Sequence, residues 1–289
     1  MKVLVIGATG FTGSHIVPLF IEKGFDVRCL ARPTSDRSIL SGLDIEWWTG
    51  DVKDEETLKS AMSGMDVLVN VVSLGFGGGP GIVRAAEQSS IHRTIFLSTT
   101  AIFTSLEPST KQIRKEAEKA IISSSLRWTI LRPTMIYGGS RDRNICRLLK
   151  FMRRWPLLPV LGSGQYLLQP VYVKDVAKAV VDCLSSPQTE RKIYDISGGA
   201  PLTFNQLIRV MEEKLNRRVR KIHLPYRPVS FTLALLETLG LSFPIGSEQI
   251  CRLNEHKAFD HEAARADFGY SPLTFEEGIA RQIEETATS

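Results

Sequence analysis

Residues 3–6, Val-Leu-Val-Ile, run directly into Gly7-Ala8-Thr9-Gly10-Phe11-Thr12-Gly13, and the apolar residues that follow, Ile16, Leu19 and Phe20, recur at helical spacing. A strand, a glycine turn and a helix in that order leave few folds open. Gly7 permits a tight turn out of the strand, Gly10 lets the backbone approach an anion such as a pyrophosphate, and Gly13 lets the helix pack closely on the strand. The first amides of that helix lack partners inside it and face the same anion. Pro18 removes a hydrogen bond several residues into the helix and crowds the preceding turn, so a slight kink is expected there.

Beyond this unit, short runs of Val, Ile and Leu alternate with longer segments of helical period. That pattern indicates a parallel sheet covered by helices on both faces, an α/β doubly wound sheet of the Rossmann type. Strands are expected at Val3–Ile6, Asp26–Leu30, Ile45–Trp48, Val67–Val72, Thr94–Leu97, Thr129–Leu131 and Lys192–Ile196. No repeat or low-complexity linker divides the chain. A smaller lobe for the substrate is therefore expected to grow from insertions at about 139–169 and from 198–289, leaving residues 1–138 with about 170–197 as the dinucleotide-binding body.

The 289 residues are 43% hydrophobic, enough for a large core. Cys29, Cys146, Cys183 and Cys251 form no CxxC pair and no cluster with histidine, which argues against a zinc site or a disulfide framework and suits a reducing compartment. No signal-peptide pattern and no long apolar stretch is seen, the longest being Phe231–Leu241, interrupted by Glu237. A cytoplasmic location is expected. The net charge of +5 comes without a base-stacking or groove-reading motif, so anionic small molecules are expected as partners rather than nucleic acid.

The GxxGxxG spacing resembles that of the extended and atypical short-chain dehydrogenase/reductases, the epimerase/dehydratase-like family. The resemblance continues through Gly50-Asp51-Val52, Leu131-Arg132-Pro133-Thr134-Met135-Ile136-Tyr137-Gly138, Pro170-Val171-Tyr172-Val173-Lys174-Asp175-Val176-Ala177, and near the end Phe259-Asp260 and Phe268-Gly269-Tyr270-Ser271-Pro272. It implies an NADP(H)- or NAD(H)-binding oxidoreductase or epimerase. It further implies that Asp51 accepts from the adenine amino group, that Val52 packs on the ring, that Val72 and Ser73 line the next strand end, and that Pro133 and Thr134 stand near the nicotinamide amide. Homodimers are common in such a family.

Cofactor choice is set where the second strand ends. An acidic side chain there would bind the ribose hydroxyls of NAD and repel the extra phosphate of NADP. The sequence reads Leu30-Ala31-Arg32-Pro33. A small uncharged residue followed by a guanidinium suits a 2′-phosphate, so NADP(H) is expected in preference to NAD(H), with Arg32 as the phosphate ligand and Arg28 or Arg37 as substitutes.

Catalysis is where the sequence departs from the family. Its usual chemistry takes a Ser or Thr to hold the substrate oxygen, a Tyr to move the proton, and a Lys four residues later. Ser98-Thr99-Thr100 matches the Ser/Thr position at Thr99, but no Tyr occurs before Tyr137, and none of the six tyrosines has a lysine four places on. The segment Glu107 to Glu118 resembles the Tyr-Lys helix with Glu107 in the Tyr slot if Lys111 is the lysine; Lys115 lies one turn later. Three readings follow: an enzyme in which Lys111, Lys115, Glu107 or a water moves the proton; a non-catalytic NADP(H)-binding sensor or scaffold; or an enzyme rescued by Tyr137 or Tyr166. The insertion RDRNICRLLKFMRRWPLLPVLGSG at 141–164 mixes cations with apolar residues. It fits a sugar-nucleotide diphosphate, a lipophilic substrate, contact with a membrane periphery, or a solvated basic face over a core.

Overall fold

The computed structural model describes residues 1–106, 108–225, 228 and 255–287. Strands β1 (Lys2–Ile6), β2 (Asp26–Ala31), β3 (Glu46–Thr49), β4 (Val67–Asn70), β5 (Arg93–Leu97) and β6 (Trp128–Pro133) are followed by short strands β7 (Ile136–Tyr137), β8 (Leu157–Leu161), β9 (Leu167–Leu168) and β10 (Val171–Tyr172). The series closes with β11 (Lys192–Ile196), β12 (Leu202–Thr203) and β13 (Arg220–Leu224). Seven of them form one sheet in the order β11-β6-β5-β4-β1-β2-β3, with every pair parallel. The order reverses at β1, between β4 and β2, which is where a doubly wound sheet opens a crevice at the carboxyl ends of its strands. Each expected strand lies within two residues of an observed one.

The helices are α1 (Gly13–Glu22), α2 (Glu55–Met62), α3 (Gly79–Glu87), α4 (Ser109–Ser123), α5 (Ile145–Arg154), α6 (Val173–Leu184), α7 (Phe204–Leu215), α8 (Glu262–Phe268) and α9 (Phe275–Ala287). Strand alternation divides the core between the two faces of the sheet. Val3, Val5, Val67, Val69 and Ile95 pack with Ile16, Val17 and Phe20 of α1 and Val176, Ala177 and Val180 of α6. Leu4, Ile6, Leu68, Phe96 and Ile130 point the other way, onto Leu58 of α2, Ile82 of α3, and Ala117 and Ile121 of α4. α1 continues unbroken through Pro18. The buried stripe of Ile16, Val17 and Phe20 supplies packing that outweighs the one lost backbone bond.

A third apolar cluster, separate from the sheet, joins Ile145, Leu149 and Met152 of α5 to Leu158 and Val160 of β8, Leu207 and Met211 of α7, and Phe275 and Ile279 of α9. Tyr137 and Tyr166 belong to this core. Their hydroxyls are held well above the usual phenol range by burial, that of Tyr166 up to about 12. No helix among the described residues is long and apolar enough to cross a membrane. The apolar stretch Phe231–Leu241 and Cys251 lie outside the described residues.

At the amino end of the sheet a buried cation ties strands together. Arg93 donates to the carbonyls of Thr94 (3.0 Å) and Arg127 (2.8 Å) and to the hydroxyls of Thr129 (2.5 Å) and Thr189 (2.8 Å). Arg93→Ala strands these acceptors and opens a cavity, at a cost of about 3 kcal/mol. Thermal unfolding followed by circular dichroism should show a midpoint lowered by roughly 6–12 °C.

Candidate functional site

The crevice at the carboxyl ends of β1, β2 and β4 is a cleft of about 660 Å³. Its floor is the glycine turn. Gly7 has φ +91°, a conformation other residues adopt only under strain. A side chain at Gly13 would place its Cβ 2.2 Å from the Gly7 carbonyl oxygen and 2.8 Å from Ala8 Cα, so only glycine lets α1 start this close to β1. Gly7, Thr9 and Gly10 line the cleft; Phe11, Thr12 and Gly13 stand behind or beside it, with Phe11 edge-on to His15.

The walls carry several of the residues that the sequence offers for choosing a nucleotide. Arg32, exposed at the rim, lines the cleft together with Ser35, and its guanidinium makes no ion pair or hydrogen bond among the described residues. Arg28 and Arg37 are committed elsewhere. Arg28 pairs with Glu46 (2.9 Å) under the Trp48 ring, and Arg37 donates to Thr49 Oγ1 (2.7 Å) over Trp47. Asp51, Val52 and Val72 line the cleft as well. The following helix is capped by Asp54, which accepts from the Glu56 amide (3.2 Å), so Asp51 is not spent as its cap. Lys53 and Asn70 are lining residues that the sequence reading did not single out. Asn70 is fully buried, donates its amide to the Val72 carbonyl (3.0 Å), and leaves Oδ1 without a partner among the described residues. A glycine cradle that a Cβ would fill, a rim cation and an unspent buried acceptor fit a dinucleotide.

The cleft shares Val71, Ser73 and Leu74 with a second one of about 240 Å³, whose other lining residues include Thr12, Ser98, Thr99, Arg114, Pro133 and Ile136. Thr99 Oγ1 accepts from the Ala101 amide (3.2 Å), which leaves its proton to donate. Ser98 donates to Glu118 Oε1 (2.5 Å), and Glu118 is also paired with Arg132. Thr134 is buried with its hydroxyl donated to the Gln169 carbonyl, and it lines neither cleft.

The structure places Arg114, not a lysine, in the second cleft. Arg114 Nη1 donates to Thr110 Oγ1 one turn earlier (3.0 Å), and its guanidinium lies against Gly75, where a Cβ would come within 3.1–3.2 Å of it. Thr110 and Arg114 thus hold a spacing of four along α4, with arginine at the end where lysine was expected. Lys111 and Lys115 line neither cleft: Lys111 is buried, donating to the Leu106 carbonyl (3.3 Å), and Lys115 is exposed. Glu107 lies outside the described residues. None of the described tyrosines lines either cleft, Tyr137 and Tyr166 being held in the third core cluster. No group of side chains suited to a metal ion occurs among the described residues.

Fold and cleft define a dinucleotide-binding Rossmann protein. The family model described as NAD(P)H-binding matches residues 7–187, and the chain belongs to that NAD(P)H-binding family. It is 27% identical over 286 residues, 91% of this chain and 70% of the relative, to mitochondrial NADH dehydrogenase [ubiquinone] 1 alpha subcomplex subunit 9 of Arabidopsis thaliana. It is 23% identical, over 98% of this chain and 94% of the relative, to the N-acetyl-alpha-D-glucosaminyl-diphospho-ditrans,octacis-undecaprenol 4-epimerase of Escherichia coli O157:H7. The UDP-glucose 4-epimerase structure of Thermotoga maritima superposes with a TM-score of 0.78 at 18% identity, covering 100% of this chain and 99% of that one, a likeness of fold.

Because the clash at Gly13 is with backbone atoms, Gly13→Ala must push α1 off the turn. Isothermal titration should show dinucleotide affinity falling at least about tenfold, the equivalent of one lost hydrogen bond to a charged group.

Proposed function

We propose that the chain is an NADP(H)-dependent oxidoreductase or epimerase acting on a small molecule, either lipophilic or a sugar nucleotide. The observation that carries this reading is the continuity of the two clefts, one bearing Arg32 and Asp51, the other Thr99 and Arg114. Residues 1–138 with about 170–197 hold the dinucleotide, and the segments around 139–169 and 198–289 supply the substrate lobe. Bound there, the nicotinamide would supply or accept a hydride.

Arg32 is the 2′-phosphate ligand and Asp51 the adenine acceptor, while Gly7, Thr9 and Gly10 admit the pyrophosphate to the amides at the start of α1. Thr99 donates to the reacting oxygen. Among the described residues, Arg114 is the only ionisable side chain lining the second cleft; because a guanidinium does not deprotonate, it stabilises negative charge on that oxygen rather than moving a proton. The proton then comes from water held by Thr99, since Lys111 and Lys115 are directed elsewhere. Epimerase chemistry at an undecaprenol-linked sugar in the Escherichia coli relative supports a substrate with a lipophilic part.

A second reading is favoured by one observation: among the described residues, no tyrosine or lysine lines the second cleft. On that reading the chain binds NADP(H) without turnover, as a sensor or scaffold.

Three measurements separate the claims. Arg32→Ala should weaken NADPH binding by roughly 10- to 100-fold while leaving NADH binding little changed, because one charge-assisted phosphate contact is lost; equal losses reject the phosphate role. Incubation with NADPH deuterated at the transferable position and a panel of carbonyl compounds should give a labelled product, with transfer about 100-fold slower in Arg114→Ala. Tight NADPH binding without label in any product leaves an epimerase that returns its own hydride or the second reading; interconversion of a sugar-nucleotide epimer pair by the cofactor-loaded chain marks the epimerase, and its absence the second reading.

A further inference from the structure

The insertion at 141–164 builds a surface that neither cleft uses. Along α5, Ile145, Leu149 and Met152 are buried in the third core cluster, and the opposite side carries Arg147, Lys150, Arg153 and Arg154, all exposed. The single carboxylate between 141 and 161, Asp142, is buried and spent on the amides of Asn144 (2.7 Å) and Cys146 (2.9 Å) at the start of the helix. None of these four cations, nor Arg218 before β13 and Arg220 at its start, forms an ion pair among the described residues.

Beside this charge lies an apolar strip. Phe151 and Trp155, one turn apart at the end of α5, are 36% and 52% exposed, and Arg154 lies near the Trp155 ring (5.8 Å). The chain then enters β8, where Leu158 and Val160 turn inward while Leu157 (46% exposed) and Pro159 turn outward. β13 pairs parallel with β8, placing Ile222 opposite Pro159 and Leu224 opposite Leu161. Opposite residues of a parallel pair share a face, so Ile222 and Leu224, 42% and 37% exposed, extend the outward apolar strip across both strands.

We propose that this surface docks on an anionic lipid bilayer, with Trp155, Phe151 and Leu157 entering the headgroup boundary and the surrounding cations meeting the lipid phosphates. Charge complementarity selects the partner. Unpaired arginines call for a polyanion, and the aliphatic strip between them finds an apolar phase in a bilayer but nothing comparable in a nucleic acid. The surface shares no lining residue with the dinucleotide cleft, so the proposal stands apart from the reading of that site.

The test is sedimentation of the full chain with vesicles of phosphatidylcholine alone or mixed with phosphatidylglycerol, with tryptophan emission recorded on the same samples. The expected result is binding to the anionic vesicles, weakened by salt, with a blue shift of emission that disappears in Trp155→Phe. Arg153→Ala with Arg154→Ala should weaken binding by roughly 20- to 30-fold, from about 1 kcal/mol per charge removed. NADPH titration of the variants checks that they fold. Failure of the wild-type chain to sediment with anionic vesicles overturns the proposal. So does adsorption that Trp155→Ser and Leu157→Ser leave unchanged, which would be surface charge alone, or tighter binding to a single-stranded RNA lost in the same arginine variants, which would assign the surface to nucleic acid.

Discussion

The close approach of α1 to β1 is the constraint from which the site follows. With 2.2 Å between a hypothetical Cβ at Gly13 and the Gly7 carbonyl, the helix can begin where it does only because that Cβ is missing. That contact sets the helix amides at the mouth of the crevice, and the crevice exists because strand order reverses beside β1. The lining residues Arg32 after β2, Asp51 after β3 and Val72 after β4 are carried to the same opening by strands in parallel register. One steric fact in the sequence therefore fixes both the local turn and the floor of the cleft.

Behind the second cleft, a buried ion pair fixes α4 against the sheet. Glu118, almost wholly buried, accepts from Arg132 on β6 and from Ser98 at the end of β5. A buried pair gains specificity of arrangement more than stability, because desolvation of both charges offsets much of their attraction. Here the consequence is helical register. With Glu118 and Ile121 turned inward, the residue one turn before Glu118 is Arg114, and it falls in the cleft.

Most of this was legible in the sequence where a single residue type answers a single physical need. The glycine turn, the seven strands of alternating or continuous apolar residues, and Arg32 at the end of β2 needed only local rules. The register of α4 was not legible in that way. Two lysines four residues apart point to Lys111 and Lys115, but Lys111 shares the inward side of α4 with Ala117, Glu118 and Ile121 and is held at the Leu106 carbonyl, Lys115 turns to solvent, and the partner that buries Glu118 is Arg132, distant in sequence. The Thr110–Arg114 spacing was visible, but only the fold gives it priority. The β8–β13 pair was missed because Leu-Leu-Pro-Val-Leu carries a proline and Arg-Lys-Ile-His-Leu is largely polar; as a two-stranded sheet with one face in water, the pair needs only Leu158 and Val160 turned inward.

The account turns on selective dinucleotide binding, and calorimetric titration of the unmodified chain with NADPH and with NADH tests it most directly. It predicts one site per chain for each, with NADPH bound at least about tenfold more tightly through its charge-assisted phosphate contact. Absence of binding, or equal affinity for the two, would contradict it.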